Sequence, residues 1–126
     1  MNLAEAADEM RRLSRLIDAG IEAMREQSSA LANAEHDYRR QKAEAWVKCP
    51  TDDHGVKAGE REWTAARREA WVDAETADLR RTRDIADGMK QAAIEAVRAR
   101  RGQLSAWQSL ISADRAEAEF ARTAPQ

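Results

Sequence analysis

One apolar position recurs every seven residues through the first part of the chain, and this recurrence constrains the fold more than any other feature. The positions are Leu3, Met10, Ile17, Met24, Leu31, Tyr38 and Ala45. A heptad spacing held over so many steps keeps one side of a single helix apolar along its length. Asn2 and Glu5 have the spacing of an N-cap and its capping-box partner. The pattern therefore predicts one helix over about 3–48.

A second helical stretch follows a connection that contains Pro50. Proline lacks a backbone N–H and disfavours helical geometry in the residue before it, so the first helix ends at 48 or 49. Polar residues predict a turn over 49–55, and the next apolar heptads predict a second helix over about 56–101. These heptads are Val56, Trp63 and Ala70, then Val72, Leu79, Ala86 and Ala93, and finally Val97, Leu104, Ile111 and Ala118.

A tight turn would make the two helices antiparallel, so that the residue numbers of facing positions add up to about 104. This register places Leu31 beside Val72 and leaves no partner for the chain beyond Gly102. The predicted fold is all-α: a long, coiled-coil-like antiparallel helical hairpin over 1–102, followed by a C-terminal helical overhang with a short tail over 103–126.

The overhang carries a compact apolar face in the predicted register. Its residues are Leu104, Trp107, Leu110 and Ile111. A hairpin that buries one stripe per helix has a thin core and gains stability from association. We therefore expect a homo-oligomer in which these four residues contribute to assembly.

The charge balance, the single cysteine and the lack of long apolar runs argue against a strongly basic DNA-binding protein, a disulfide-bonded secreted protein and a membrane-spanning protein. The chain has 21 Lys+Arg against 23 Asp+Glu, a net charge of -2, so a nucleic-acid site would have to be local. The lone Cys49 cannot form an internal disulfide, and the chain opens without a secretory signal pattern. No apolar run approaches the roughly 20 residues that cross a bilayer. We expect a cytoplasmic protein without a membrane partner.

Motifs that would indicate enzyme chemistry are missing from the sequence. It has no glycine-rich phosphate loop, nucleophile elbow or paired-cysteine zinc motif, so we expect a protein that is not an enzyme and has no catalytic residues. The connection holds Cys49, Asp52, Asp53 and His54, which could ligate one metal ion. Metal sites usually draw ligands from two separated clusters, and we therefore expect neither a metal nor a cofactor.

Aromatic residues are few and cluster around the connection, where basic residues accompany them. Rings stack on unpaired bases and cations hold phosphates, so this combination is typical of a single-stranded nucleic-acid surface. The candidate binding residues are Arg39, Arg40, Lys42, Trp46, Lys48, Lys57 and Arg61. The alternative is that Tyr38 and Trp63, both on apolar heptad positions, belong to the core and that the charges form a solvated face.

The order of features resembles that of a known family. The run Ala96-Val97-Arg98-Ala99-Arg100, followed by Leu104 and Trp107-Gln108, is similar to a pattern in the UvsY-type recombination mediators of tailed phages. Arg40 and Lys42, with Trp46 after them, stand where that family has a basic pair implicated in DNA binding.

The resemblance implies a function and partners. Such a protein binds single-stranded DNA and helps load a RecA-class recombinase in competition with a single-strand-binding protein. It forms a ring of six or seven subunits and acts in the host cytoplasm. The alternative function is a non-enzymatic helical adaptor or scaffold that acts through protein contacts only, favoured by the neutral charge and by the acids among the basic residues.

Overall fold

The protein is almost entirely helical in the part of the chain that its computed structural model describes, residues 2–52 and 62–124. Three helices follow one another there: α1 (Leu3–Lys48), α2 (Ala65–Glu75) and α3 (Ala77–Thr123). The all-α prediction is confirmed.

Helix α1 begins and ends where the sequence predicts. The Asn2 side-chain Oδ1 accepts hydrogen bonds from the backbone N–H groups of Ala4, at 2.9 Å, and of Glu5, at 3.4 Å. These bonds satisfy two donors that a helix N-terminus leaves free. At the other end Lys48 is the last helical residue, two positions before Pro50. Both ends are set by local chemistry, and the predicted bounds 3–48 are confirmed.

The connection is longer than the predicted turn over 49–55. The Trp63 N–H donates to the Thr51 carbonyl at 2.8 Å, and Asp52 and Glu62 form an isolated antiparallel bridge. The predicted start of the second helix near Val56 lies outside the described residues, but its predicted path through 62–64 is wrong. These residues pair with the chain that leaves α1, and the helix begins only at Ala65.

Thr64 is the residue that starts α2. Its backbone is extended, with φ -68° and ψ 159°, and its Oγ1 accepts a hydrogen bond from the Arg67 N–H at 3.1 Å. We expect Thr64→Ala to lower the free energy of unfolding by about 1 kcal/mol, because an alanine leaves that donor without its cap. Thr64→Ser should keep most of the stability. Urea unfolding followed by circular dichroism measures both, and an equal loss in both variants would contradict the capping role.

The second predicted helix is interrupted at Thr76 and runs past its predicted end at 101. Thr76 is 1% exposed, and its Oγ1 donates to the Val72 carbonyl at 2.8 Å. A threonine bonded back to the preceding turn bends a helix, which accounts for the division between α2 and α3. The predicted end near 101 is wrong, since α3 continues through Gly88 and Gly102 to Thr123. A glycine costs a helix only about 1 kcal/mol, less than the packing of the surrounding turns supplies.

The described residues form two compact units. The first, here the terminal unit, holds residues 2–26 and 91–124, and the second, the turn unit, holds residues 27–52 and 62–90. In the terminal unit the start of α1 packs antiparallel to the second part of α3. Its buried apolar side chains are Ala6, Leu13, Ile17 and Val97.

The register in the terminal unit differs from the predicted one by roughly two heptads. A Cβ added to Gly20 would lie 2.7 Å from Cγ2 of Val97, so these two residues face each other directly. The predicted register placed Val97 beside Ala7 and is therefore wrong. The physical reason is the long connection, which delays the second helix and so brings later residues opposite each residue of α1.

The predicted C-terminal overhang from 103 is wrong in its start. Ile111 and Met10 line one cavity of about 340 Å³ in the terminal unit, so this part of α3 lies against the first turns of α1. The lining residues are Ala7, Met10, Gln108, Ile111, Ser112 and Arg115. Residues 108–115 of α3 therefore have a partner within the chain, whereas every residue over 116–124 is exposed. The argument that assigned assembly to Leu104, Trp107, Leu110 and Ile111 loses its premise, and the assembly itself stays a prediction.

The turn unit is built around a small core cluster at the ends of α1 and α2. Ala45, Cys49 and Val72 are buried there, and Val72 is fully buried. Three half-buried tryptophans pack against the cluster: Trp46, Trp63 and Trp71. This aromatic packing fixes α2 against α1 and positions the basic residues described below.

The surface of the described helices is dominated by exposed ion pairs. Arg98 lies 2.9 Å from Glu95, and Arg12 lies 2.5 Å from Glu9. The hydrogen bond from Arg12 lowers the pKa of the Glu9 carboxyl below its usual value. Such exposed pairs add little to stability because solvent screens them. None of the described helices is long and apolar enough to cross a membrane.

Candidate nucleic-acid interface

Tyr38 is the most deeply placed aromatic ring of the turn unit, at 8% exposed. The Arg83 guanidinium lies 4.5 Å from the ring centroid and the Lys42 Nζ lies 5.7 Å from it. Hydrogen bonds to Asp84 raise the pKa of the Arg83 guanidinium. Burial lowers that pKa, and the nearby Tyr38 raises it. Lys42, one of the predicted binding residues, therefore lies against a core ring, where a cation–π contact holds its ammonium group.

Two tryptophans of the core cluster also carry cations. The Arg67 guanidinium lies 4.0 Å from the Trp63 ring centroid, and Arg68 lies 5.6 Å from that of Trp46. The Arg68 Nε is buried and makes no hydrogen bond to any residue that the structure describes. Trp46, the predicted stacking residue, is half-buried and packs against the core. Tyr38 and Trp63 belong to the core in the same way, as the alternative interpretation expected for them.

The last turns of α1 present a second, exposed surface. At 100° per residue, five exposed positions fall within a sector of roughly 100°, on the side of the helix away from buried Ala34, Tyr38 and Ala45. We name this surface the outer face of α1, and it consists of His36, Arg39, Arg40, Ala43 and Val47. It holds two arginines and no carboxylate.

Acidic residues flank the outer face without occupying it. Glu35 lies on one side of the sector, and Asp37 and Glu44 lie on the other. Arg39 approaches Glu35 at 3.9 Å, near the limit for an ion pair, while its side chain stays 79% exposed. Across residues 2–52 and 62–124, no carboxylate lies within ion-pair distance of Arg40. Both guanidinium groups are therefore accessible to an external anion.

The remaining predicted binding residues are Lys48, Lys57 and Arg61. Lys48 is exposed at the C-terminal end of α1 and borders a hollow of about 450 Å³ with Ala43, Glu44 and Val47. Val47 is 87% exposed, an unusual position for an apolar side chain. Lys57 and Arg61 lie outside the described residues. The structure thus brings Arg39, Arg40 and Lys48 to the surface and turns Lys42 and Trp46 toward the core.

Sequence reasoning missed the roles of three arginines and of one apolar residue. Arg67, Arg68 and Arg83 each lie over an aromatic ring. The Arg83 contact joins α3 to α1 and leaves no local signal in the sequence. The exposure of Val47 could have been found, since it lies two residues beyond the buried heptad position Ala45.

The residues predicted to support assembly are divided between two environments. Leu104, Trp107 and Ile111 are half-buried, whereas Leu110 is 54% exposed. Within the described residues, no three His, Cys, Asp or Glu side chains are grouped to hold a metal ion. Of the connection residues considered as ligands, Asp53 and His54 lie outside that part of the chain.

Comparisons with known proteins identify no relative. No protein-family model matches the chain, and no curated protein or solved structure matches it.

Proposed function

We propose that this protein is a non-enzymatic helical protein that binds single-stranded DNA through the outer face of α1. In this proposal it is a recombination mediator, helping to load a RecA-class recombinase on a strand covered by a single-strand-binding protein. Arg39, Arg40 and Lys48 hold the phosphates. Lys42 and Trp46 keep the end of α1 in place through their core contacts.

The carboxylate-free sector of the outer face carries the proposal. A chain with a net charge of -2 attracts a polyanion only where its cations are collected apart from its acids. On the outer face Arg39 and Arg40 are exposed, and the acids lie to the sides. Between them, Ala43 and exposed Val47 form an apolar strip that an unpaired base can contact.

The mediator role rests on the resemblance to the UvsY-type family. That resemblance includes the position of Arg40 and Lys42 before Trp46, and the run from Ala96 to Arg100. Of the basic pair, Arg40 is exposed and Lys42 lies over Tyr38. The proposal therefore assigns the phosphate contact to Arg40 and its neighbour Arg39, and gives Lys42 a positioning role.

Oligonucleotide binding at several salt concentrations tests the proposal. Fluorescence anisotropy of labelled poly-dT should show salt-dependent binding that duplex DNA competes poorly. Arg39→Ala with Arg40→Ala should weaken binding about tenfold or more and lower the salt slope by about 1.4, since each contact to a single-stranded phosphate contributes about 0.7.

A matched control is available on the same helix. Arg11 and Arg12 are adjacent and exposed, and each pairs with a carboxylate one turn before it, Asp8 and Glu9. Arg11→Ala with Arg12→Ala changes the net charge by the same amount and should leave binding nearly unchanged. If both double variants weaken binding equally, the effect is one of overall charge and the assigned site is wrong.

The adaptor function remains the second candidate, and the burial of the aromatic rings favours it. Tyr38 is buried and Trp46 and Trp63 pack against the core, so fewer rings are free to stack on bases than the sequence indicated. Apolar Val47 and Phe120 are 87% and 74% exposed. Absence of poly-dT binding at low salt would replace the mediator proposal with this one.

A further inference from the structure

The cavity in the terminal unit has no part in the proposed DNA site. Its volume is about 340 Å³, near the lower end of the roughly 300–1,000 Å³ that small-molecule sites occupy. The described residues that line it all belong to this one unit: Ala7, Met10, Gln108, Ile111, Ser112 and Arg115. The volume suits a small organic molecule.

The cavity exists because small residues stand where two long helices pack together. Ala7 on α1 and Ser112 on α3 have short side chains, so they leave space that larger residues would fill. Half-buried Met10 and Ile111 form apolar walls beside that space. A methionine side chain is flexible and polarizable, and it adapts to molecules of different shape. The walls therefore favour an apolar body in the cavity.

Among the described lining residues, Arg115 carries the charge. It follows Ile111 by four positions on α3, so the two side chains lie on one side of the helix. Arg115 is exposed, and no carboxylate of the described part of the chain lies within ion-pair distance of it. By contrast, Arg11, Arg12 and Arg98 of the same unit each pair with a carboxylate one turn before them. The Arg115 guanidinium is therefore available to an external anion.

The lining thus combines apolar walls with one cation and two neutral polar side chains. At 100° per residue, Gln108 and Ser112 lie on the same side of α3 as Arg115, and both can donate hydrogen bonds to oxygen atoms. A guanidinium binds a carboxylate through two parallel hydrogen bonds. A molecule with a carboxylate at one end and a short hydrocarbon chain at the other matches both parts of the lining.

We propose that this cavity binds a medium-chain fatty carboxylate, with its hydrocarbon chain against Met10 and Ile111 and its carboxylate on Arg115. The proposal is independent of DNA binding, because the cavity lies in the terminal unit and the arginines of the proposed DNA site lie in the turn unit.

Isothermal titration calorimetry of octanoate into the full chain tests the proposal. Octanoate should bind at one site per chain with a Kd of about 1 mM or tighter, as expected for a ligand of this size. Octanol has the same hydrocarbon chain without the charge. It should bind about fivefold more weakly or less, because it lacks the attraction to the partly solvated guanidinium.

Variants separate the charge from the space. Arg115→Gln should raise the Kd for octanoate about fivefold or more. Arg122→Gln is the matched control, since it removes the same charge from an exposed α3 position that does not line the cavity, and it should leave the Kd unchanged. Ala7→Leu fills the cavity from α1 and should abolish binding. Ser112→Leu fills it from α3 and should do the same.

Circular dichroism of every variant shows whether the helices are retained, and the second filling variant keeps the test valid if the first one unfolds. Three results would overturn the proposal: no binding of octanoate to the wild type, equal Kd values for Arg115→Gln and Arg122→Gln, or wild-type binding in a folded filling variant. Light scattering on the same sample identifies a competing occupant. A mass of two chains without octanoate binding would assign the cavity to a second copy instead.

Discussion

Leu13→Ala is expected to lower the free energy of unfolding by about 2–5 kcal/mol, the range for removing a buried leucine. Leu13 is 0% exposed in the terminal unit, where few other side chains are buried. Because the core of the terminal unit is thin, few neighbouring side chains can move in to fill the cavity that the alanine leaves. The loss is a large part of the 5–15 kcal/mol that stabilises an ordinary domain. Urea unfolding followed by circular dichroism at 222 nm measures it.

Leu3→Ala provides the matched comparison on the same helix. Leu3 is 50% exposed in the first turn of α1, and its replacement should cost under about 1 kcal/mol. Similar losses for Leu3 and Leu13 would contradict the difference in burial between these two leucines. A concentration series for each variant separates changes in folding from changes in self-association.

Gly20→Ala is expected to lower stability by about 1–3 kcal/mol, although alanine is the better helix former. The added Cβ would lie 2.7 Å from Cγ2 of Val97, too close for two carbon atoms. Val97 is 4% exposed and branched at Cβ, so a change of its χ1 rotamer within the helix is unfavourable. The helices must therefore move apart locally, which weakens the packing around them.

Gly102→Ala is the control for that prediction and should have the opposite sign. Nothing lies within 4 Å of a Cβ built on Gly102, so alanine there should raise the free energy of unfolding by about 0.5–1 kcal/mol. Thermal unfolding of both variants under identical conditions gives the comparison. If Gly20→Ala is as stabilising as Gly102→Ala, the register of α1 against α3 in the terminal unit is wrong.

The all-α class and both ends of α1 can be predicted from the amino-acid sequence. The heptad from Leu3 to Ala45 makes one continuous helix the best way to bury an apolar stripe. Asn2 and Pro50 act within a turn of the residues they affect, so their effect is readable without knowledge of the fold. The clustering of basic and aromatic residues around the connection is also visible in the sequence, although their contacts are not.

The register and the division of the basic residues between core and surface depend on contacts between helices, which the sequence does not reveal. The chain pairs Asp52 with Glu62 in the connection, and α2 begins only at Ala65, later than the apolar heptads indicate. The later start places Gly20 rather than Ala7 against Val97, and it gives residues 108–115 of α3 a partner on α1. Arg40 and Lys42 are both cationic and lie two residues apart in the sequence. In the structure, however, the Lys42 ammonium group lies over the Tyr38 ring and Arg40 is exposed to solvent. A helix has several faces, and the sequence alone does not say which of them a distant segment will cover.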